Sequence, residues 1–104
     1  MRIAAYLLAT AALMTAGSAL AATQVTDMDY LKANRCRALA VAASADTTDL
    51  DAFLKTAGKT RTTFVLGQGV EAQDRAKREA KSENAERKAR LAAELSGPCQ
   101  AFKG

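Results

Sequence analysis

The chain has 104 residues, a net charge of +4 and no histidine. That length allows one small domain and is too short for a doubly wound α/β sheet. Without histidine there is no Ser-His-Asp centre and no imidazole-bound zinc site.

The first 21 residues read as a secretory signal peptide. Arg2 gives a positive start, and Ile3 to Met14 form a short apolar run. Thr15, Ala16, Gly17, Ser18 and Ala19 then bring in small side chains. Ala19-Leu20-Ala21 fits the small-x-small pattern read by signal peptidase, which places the cut between Ala21 and Ala22. The strongly apolar part is shorter than the ~20 residues of a spanning helix. The Ala-rich style points to the periplasm or the exterior, leaving residues 22–104 as one small helical domain.

Residues 22–104 contain 14 Leu, Val and Phe residues and no Ile. That is about 17% of the segment, below the roughly 20% at which disorder competes if net charge is high. Charge is modest, with 14 basic and 11 acidic residues. The composition therefore predicts a folded domain with a thin core, in which a covalent staple matters.

Residues 26–43 form the first predicted helix. Thr26 is placed to cap it, and Asp27 and Asp29 suit the positive end of its dipole. Met28, Leu31, Leu39 and Ala42 or Ala43 share one side, with Cys36 at its edge. Lys32 and Arg35 intrude on that side and are expected to snorkel.

A second helix begins at Thr48, where Thr48 and Asp51 have capping-box spacing. Leu50, Phe53, Leu54 and Ala57 make a single apolar stripe, and Gly58 offers a left-handed stop.

The region from Thr60 to Leu95 begins with the strand-like composition Thr62-Thr63-Phe64-Val65-Leu66. It continues through residues 71–90, which hold no large hydrophobe but have strong helix propensity. Ser96-Gly97-Pro98 is a firm stop.

Cys36 and Cys99 are the only cysteines. In an oxidising compartment an even count favours one intramolecular disulfide. An intermolecular bridge and a reactive thiol, with Arg35 and Arg37 favouring a Cys36 thiolate, are the competing readings. A single straight helix over 60–95 would run ~54 Å and carry Cys99 far from Cys36, whereas a disulfide needs Cα atoms within ~7 Å. A break is therefore expected at Lys81-Ser82-Glu83-Asn84, with Ser82 capping a final helix of about 83–95. The predicted fold is all-α: a small bundle of three to four helices stapled by Cys36–Cys99.

Gly67-Gln68-Gly69-Val70-Glu71-Ala72 matches the dinucleotide pattern G-x-G-x-x-A, but no second strand follows to complete a βαβ unit. Close packing or local helix weakening is the expected role of Gly67 and Gly69. Basic residues in 71–90 alternate with acids, and four pairs have favourable acid-then-base spacing: Glu71–Arg75, Asp74–Arg78, Glu83–Arg87 and Glu86–Arg90. That pattern describes a solvated surface rather than a nucleic-acid stripe. Asp46, Asp49 and Asp51 lack the remainder of a calcium loop.

No catalytic, cofactor or metal set is therefore assigned. The expected function is that of an exported, non-enzymatic helical protein acting through contact with an envelope or secreted protein. Leu50, Phe53, Leu54, Phe64 and Val70 are expected in the core, with 71–90 facing a partner or solvent. The alternative is a binder of anionic membrane surfaces. Residues 55–103 carry 11 basic and 6 acidic side chains, whereas 26–51 carry 3 and 5.

Overall fold

The computed structural model describes residues 25–103. The signal segment and the cut between Ala21 and Ala22 lie outside those residues. Four α-helices follow in order: α1 Asp27–Ala42, α2 Thr48–Gly58, α3 Thr63–Ala80 and α4 Ala85–Ser96. A 3₁₀ helix, Pro98–Phe102, ends the described chain. The fold is all-α, and the described residues contain no strand. No helix among them is long and apolar enough to cross a membrane.

Local side-chain chemistry sets the helix starts. At α1 the Thr26 hydroxyl accepts from the Asp29 backbone N–H at 3.1 Å, and Asp29 accepts from the Thr26 N–H at 3.0 Å. This reciprocal box satisfies two donors that the helix end would otherwise leave unpaired. Thr62 caps α3 by accepting from Val65 N–H at 3.2 Å.

The start of α2 differs from the expected Thr48–Asp51 box. Thr48 is already helical, Thr47 precedes it, and the Thr47 hydroxyl donates to Asp51 at 3.0 Å. Asp46 instead accepts from both the backbone and the hydroxyl of Thr48. Nor is Gly58 a left-handed stop. It is the last residue of α2, and none of the described glycines has positive φ. The left-handed position is Ser44, at φ 56° after α1. Ser44 N–H donates to Val41 O and Ala45 N–H to Ala40 O, a Schellman closure with serine where glycine is usual.

The expected break is present between Lys81 and Asn84, but its cap is different. Asn84 accepts from Arg87 N–H at 3.0 Å, while Ser82 accepts from Asn84 N–H in the turn itself. The break reverses the chain, so α4 returns along α1. Cys99 thereby reaches the middle of α1 and bonds to Cys36, with Cα atoms 5.6 Å apart. The conflict between rod length and disulfide is resolved by this fold-back.

α1 is the central element. α2 packs antiparallel to it, with Leu50 near Cys36 and Ala40 and with Ala57 near Tyr30. α3 runs parallel to α1, with Val65 beside Tyr30, Gln73 beside Asn34, and Ala76 beside Ala38 and Leu39. Consequently α1 buries residues around most of its circumference, and they are mainly small: Ala33, Asn34, Cys36, Ala38 and Ala40.

The α3 stripe against α1 is Val65, Gly69 and Ala76, so the strand-like composition at 62–66 is overridden by a helix. A Cβ on Gly69 would lie 2.7 Å from Asn34 Nδ2 and 2.9 Å from Tyr30 Cε2, while one on Gly67 would meet open space. Of the two glycines, Gly69 alone serves close packing. The expectation that Phe64 and Val70 are core is overturned, since they are 73% and 61% exposed. Helices that approach this closely select small residues for the contact and turn the larger neighbours outward. Met28, 60% exposed, also leaves the predicted apolar side of α1.

Candidate functional site

Four consecutive residues of α1 tie the fold together. Asn34 is buried; it donates to Tyr30 O and accepts from Gln73 Nε2 at 2.7 Å, linking α1 to α3. Arg35 holds Glu79 of α3 and Glu94 of α4 together. Cys36 is bonded to Cys99, and Arg37 reaches Asp51 of α2 at 2.6 Å and Gln73 of α3 at 3.3 Å. Asn34 and Arg37 share Gln73 while Arg35 and Cys36 reach the C-terminal elements, so one turn contacts every other helix or its extension.

Arg35 therefore does more than snorkel. Its guanidinium donates through Nη1 and Nη2 to the two oxygens of Glu79, at 2.9 and 3.1 Å. Nε and Nη2 donate to Glu94 at 2.6 and 3.0 Å. Such forked pairs are among the stronger charge-assisted contacts. Bonding to Glu79, then to Glu94, raises the Arg35 pKa further above its ordinary range. The same contact with Arg35 holds the Glu79 carboxyl below its usual range.

The two arginines beside Cys36 do not activate a thiol. Both are engaged by carboxylates, and Cys36, 3% exposed, is in a disulfide. The reactive-thiol reading loses its nucleophile.

Three surface grooves share Arg35 on their walls. The largest, about 650 Å³, lies where α1, α2, α4 and the 3₁₀ helix meet. Its apolar wall is Cys36, Phe53, Pro98, Ala101 and Phe102, with the two phenyl rings 4.9 Å apart between centroids and tilted by 58°. Asp29, Lys32, Arg35 and Glu94 supply the polar rim. Asp29 is engaged by the α1 cap and Glu94 by Arg35. Lys32 is exposed, with no carboxylate at ion-pair distance among the described residues. An apolar cleft of several hundred cubic ångströms with a few polar groups has the usual make-up of a binding site.

Of the expected residues, Cys36 and Cys99 meet in the disulfide, and Cys36 with Phe53 lines this groove. Asp46, Asp49 and Asp51 do not converge on a metal geometry: Asp51 is taken by Arg37 and Thr47. Among the described residues no cluster of three or more His, Cys, Asp or Glu is arranged to hold a metal ion. None of the four acid-then-base pairs on α3, α4 and the turn between them closes to ion-pair distance.

The sequence reading missed Arg35 as a double clamp and Phe102 as the ring opposite Phe53. A signal for Phe102 existed, because it lies three residues after Cys99. Once that cysteine is bonded to α1, Phe102 must land beside the same helix. Comparisons with family models, curated proteins and solved structures find no match to this chain.

Proposed function

We propose that this chain is an exported, non-enzymatic small helical protein that acts through protein–protein contact. The groove beside the Cys36–Cys99 bridge is its contact site, and the partner is an envelope or secreted protein offering an apolar segment. One observation carries the reading: the groove of about 650 Å³ is walled by Phe53, Phe102, Pro98 and Cys36, and its rim carboxylates are already engaged. Aromatic side chains in a rigid setting contribute large contact area at little entropic cost, a property that favours recognition. Lys32 at the rim would select an acidic residue flanking the partner's apolar segment.

The test is photo-crosslinking in the native cell from a benzophenone side chain placed at Ala101, which is exposed on the groove wall. The expected result is one discrete heterologous adduct that is lost when Lys32→Glu is added. If the chain remains an uncrosslinked monomer there, while the folded state is retained, the proposal fails.

A further inference from the structure

Arg35 consumes both carboxylates that face it, Glu79 from α3 and Glu94 from α4. The other guanidinium groups around that clamp, Arg75, Arg87 and Arg90, have no carboxylate at ion-pair distance among the described residues. Arg87 and Arg90 line a groove of about 360 Å³ with Arg35, Glu79 and Glu94. Arg75 lines a second groove of about 270 Å³ that shares Arg35. Both grooves include Arg35, so Arg75 on one side and Arg87 with Arg90 on the other flank the same clamp.

The charged side chains lining the two grooves are Lys32, Arg35, Arg75, Arg87 and Arg90 against Glu71, Glu79 and Glu94. The lining is therefore net +2: the clamp of one guanidinium and two carboxylates is net −1, and outside it Lys32, Arg75, Arg87 and Arg90 outnumber Glu71. Arg35 alone holds both Glu79 and Glu94, so the other cations of this face are left without a close carboxylate.

We infer that the Arg75, Arg87 and Arg90 face docks on an anionic phospholipid surface, with its guanidinium groups taking headgroup phosphates. A guanidinium fork matches phosphate oxygens in geometry as well as charge. A fluid bilayer suits the pattern better than a nucleic acid does. Lipids can redistribute around Glu71 and the clamp carboxylates, whereas the phosphates of a duplex have fixed spacing. Residues 71–90 also contain no aromatic side chain on which a base could stack. They contain no large hydrophobe either, so attachment is electrostatic and peripheral, and screening must reverse it. Lys32 and Arg35 border both sites, but Arg75, Arg87 and Arg90 line only this face, so the inference can fail separately from the contact groove.

The experiment is flotation of the full chain with vesicles of mixed phosphatidylglycerol and phosphatidylcholine, and with phosphatidylcholine alone. The expected outcome is co-flotation with the anionic vesicles only, and release when NaCl is raised from about 0.05 to about 0.5 M. The triple variant Arg75→Glu/Arg87→Glu/Arg90→Glu should bind on the order of a hundredfold more weakly. Lys55→Glu/Lys59→Glu/Lys103→Glu makes the same change in net charge elsewhere and should retain most of the binding. Circular dichroism checks that both fold; should the reversal triple not fold, the Arg→Gln triple replaces it, with weakened binding again expected. Equal binding to neutral vesicles, an equal loss in the control triple, displacement by millimolar inorganic phosphate, or tighter binding to duplex DNA would each overturn the inference.

Discussion

Arg35 and Glu94 are joined by two hydrogen bonds, Nε to Oε2 at 2.6 Å and Nη2 to Oε1 at 3.0 Å, between the central helix and the last one. α4 has no fully buried residue, so this contact, the half-buried Leu91 and Leu95, and the tether through Cys99 hold it in place. Glu94→Gln should therefore cost about 1 kcal/mol, the discounted value for a partly exposed pair. Amide hydrogen exchange should quicken in Ala85–Ser96 and stay nearly unchanged in α1. Equal acceleration in both helices would show that the pair does not act on α4 in particular.

The Cys36–Cys99 bridge closes a loop with a sequence separation of 63. On the chain-entropy relation its removal destabilises the fold by ~4 kcal/mol, comparable to the whole stability margin of a small domain. Cys36→Ala/Cys99→Ala is expected to unfold at much lower urea concentration than the parent. Its α4 and 3₁₀ segment should exchange amide hydrogens first, because the remaining contacts there are few. A denaturation midpoint equal to that of the parent would contradict the thin-core account.

Two glycines two residues apart on α3 should respond in opposite directions. Gly69→Ala forces a methyl within 3 Å of the buried Asn34 and Tyr30 side chains, both of which are held by their surroundings. A loss of about 1–3 kcal/mol is expected from overpacking. Gly67→Ala meets nothing and should stabilise the helix by up to about 1 kcal/mol. Thermal denaturation of the two variants checks the sign of each. A stabilised Gly69→Ala would mean that α1 and α3 do not approach as closely as described.

Acid should destabilise the fold through two carboxylates. Arg35 holds Glu79 below the ordinary glutamate value of 4.5, and Arg37, followed by Thr47, holds Asp51 below the ordinary aspartate value of 3.8. Both groups bind fewer protons when folded than when unfolded. Their contribution is therefore complete above the unfolded values and disappears as pH falls through the folded ones. Urea midpoints should be flat between about pH 7 and pH 5 as far as these groups are concerned, and should fall below about pH 4. Arg35→Gln should make that acid limb shallower by removing the Glu79 part. An unchanged acid limb in this variant would count against the clamp.

What the residues determined without tertiary information is local or topological. Thr26 sets the start of α1 because its hydroxyl can reach an N–H three residues on, whereas the Thr62 cap was hidden by the strand-like composition of 62–66. The turn at Lys81–Asn84 followed from a length argument: an unbroken helix could not return Cys99 to Cys36. The all-α class was readable from helix propensity and stops, and the disulfide from the even cysteine count expected of an exported chain. The choice of interior residues was not. Phe64 and Val70 carry more apolar area than Gly69 and Ala76, and by size they belong in a core. The interface with α1 instead uses Gly69 and Ala76, because the nearness of two backbones is a property of the packed pair. Arg35 shows the same limit in polar form. From the sequence it was an awkward cation on an apolar side; its role arose only when folding brought Glu79 and Glu94 to it from two different helices.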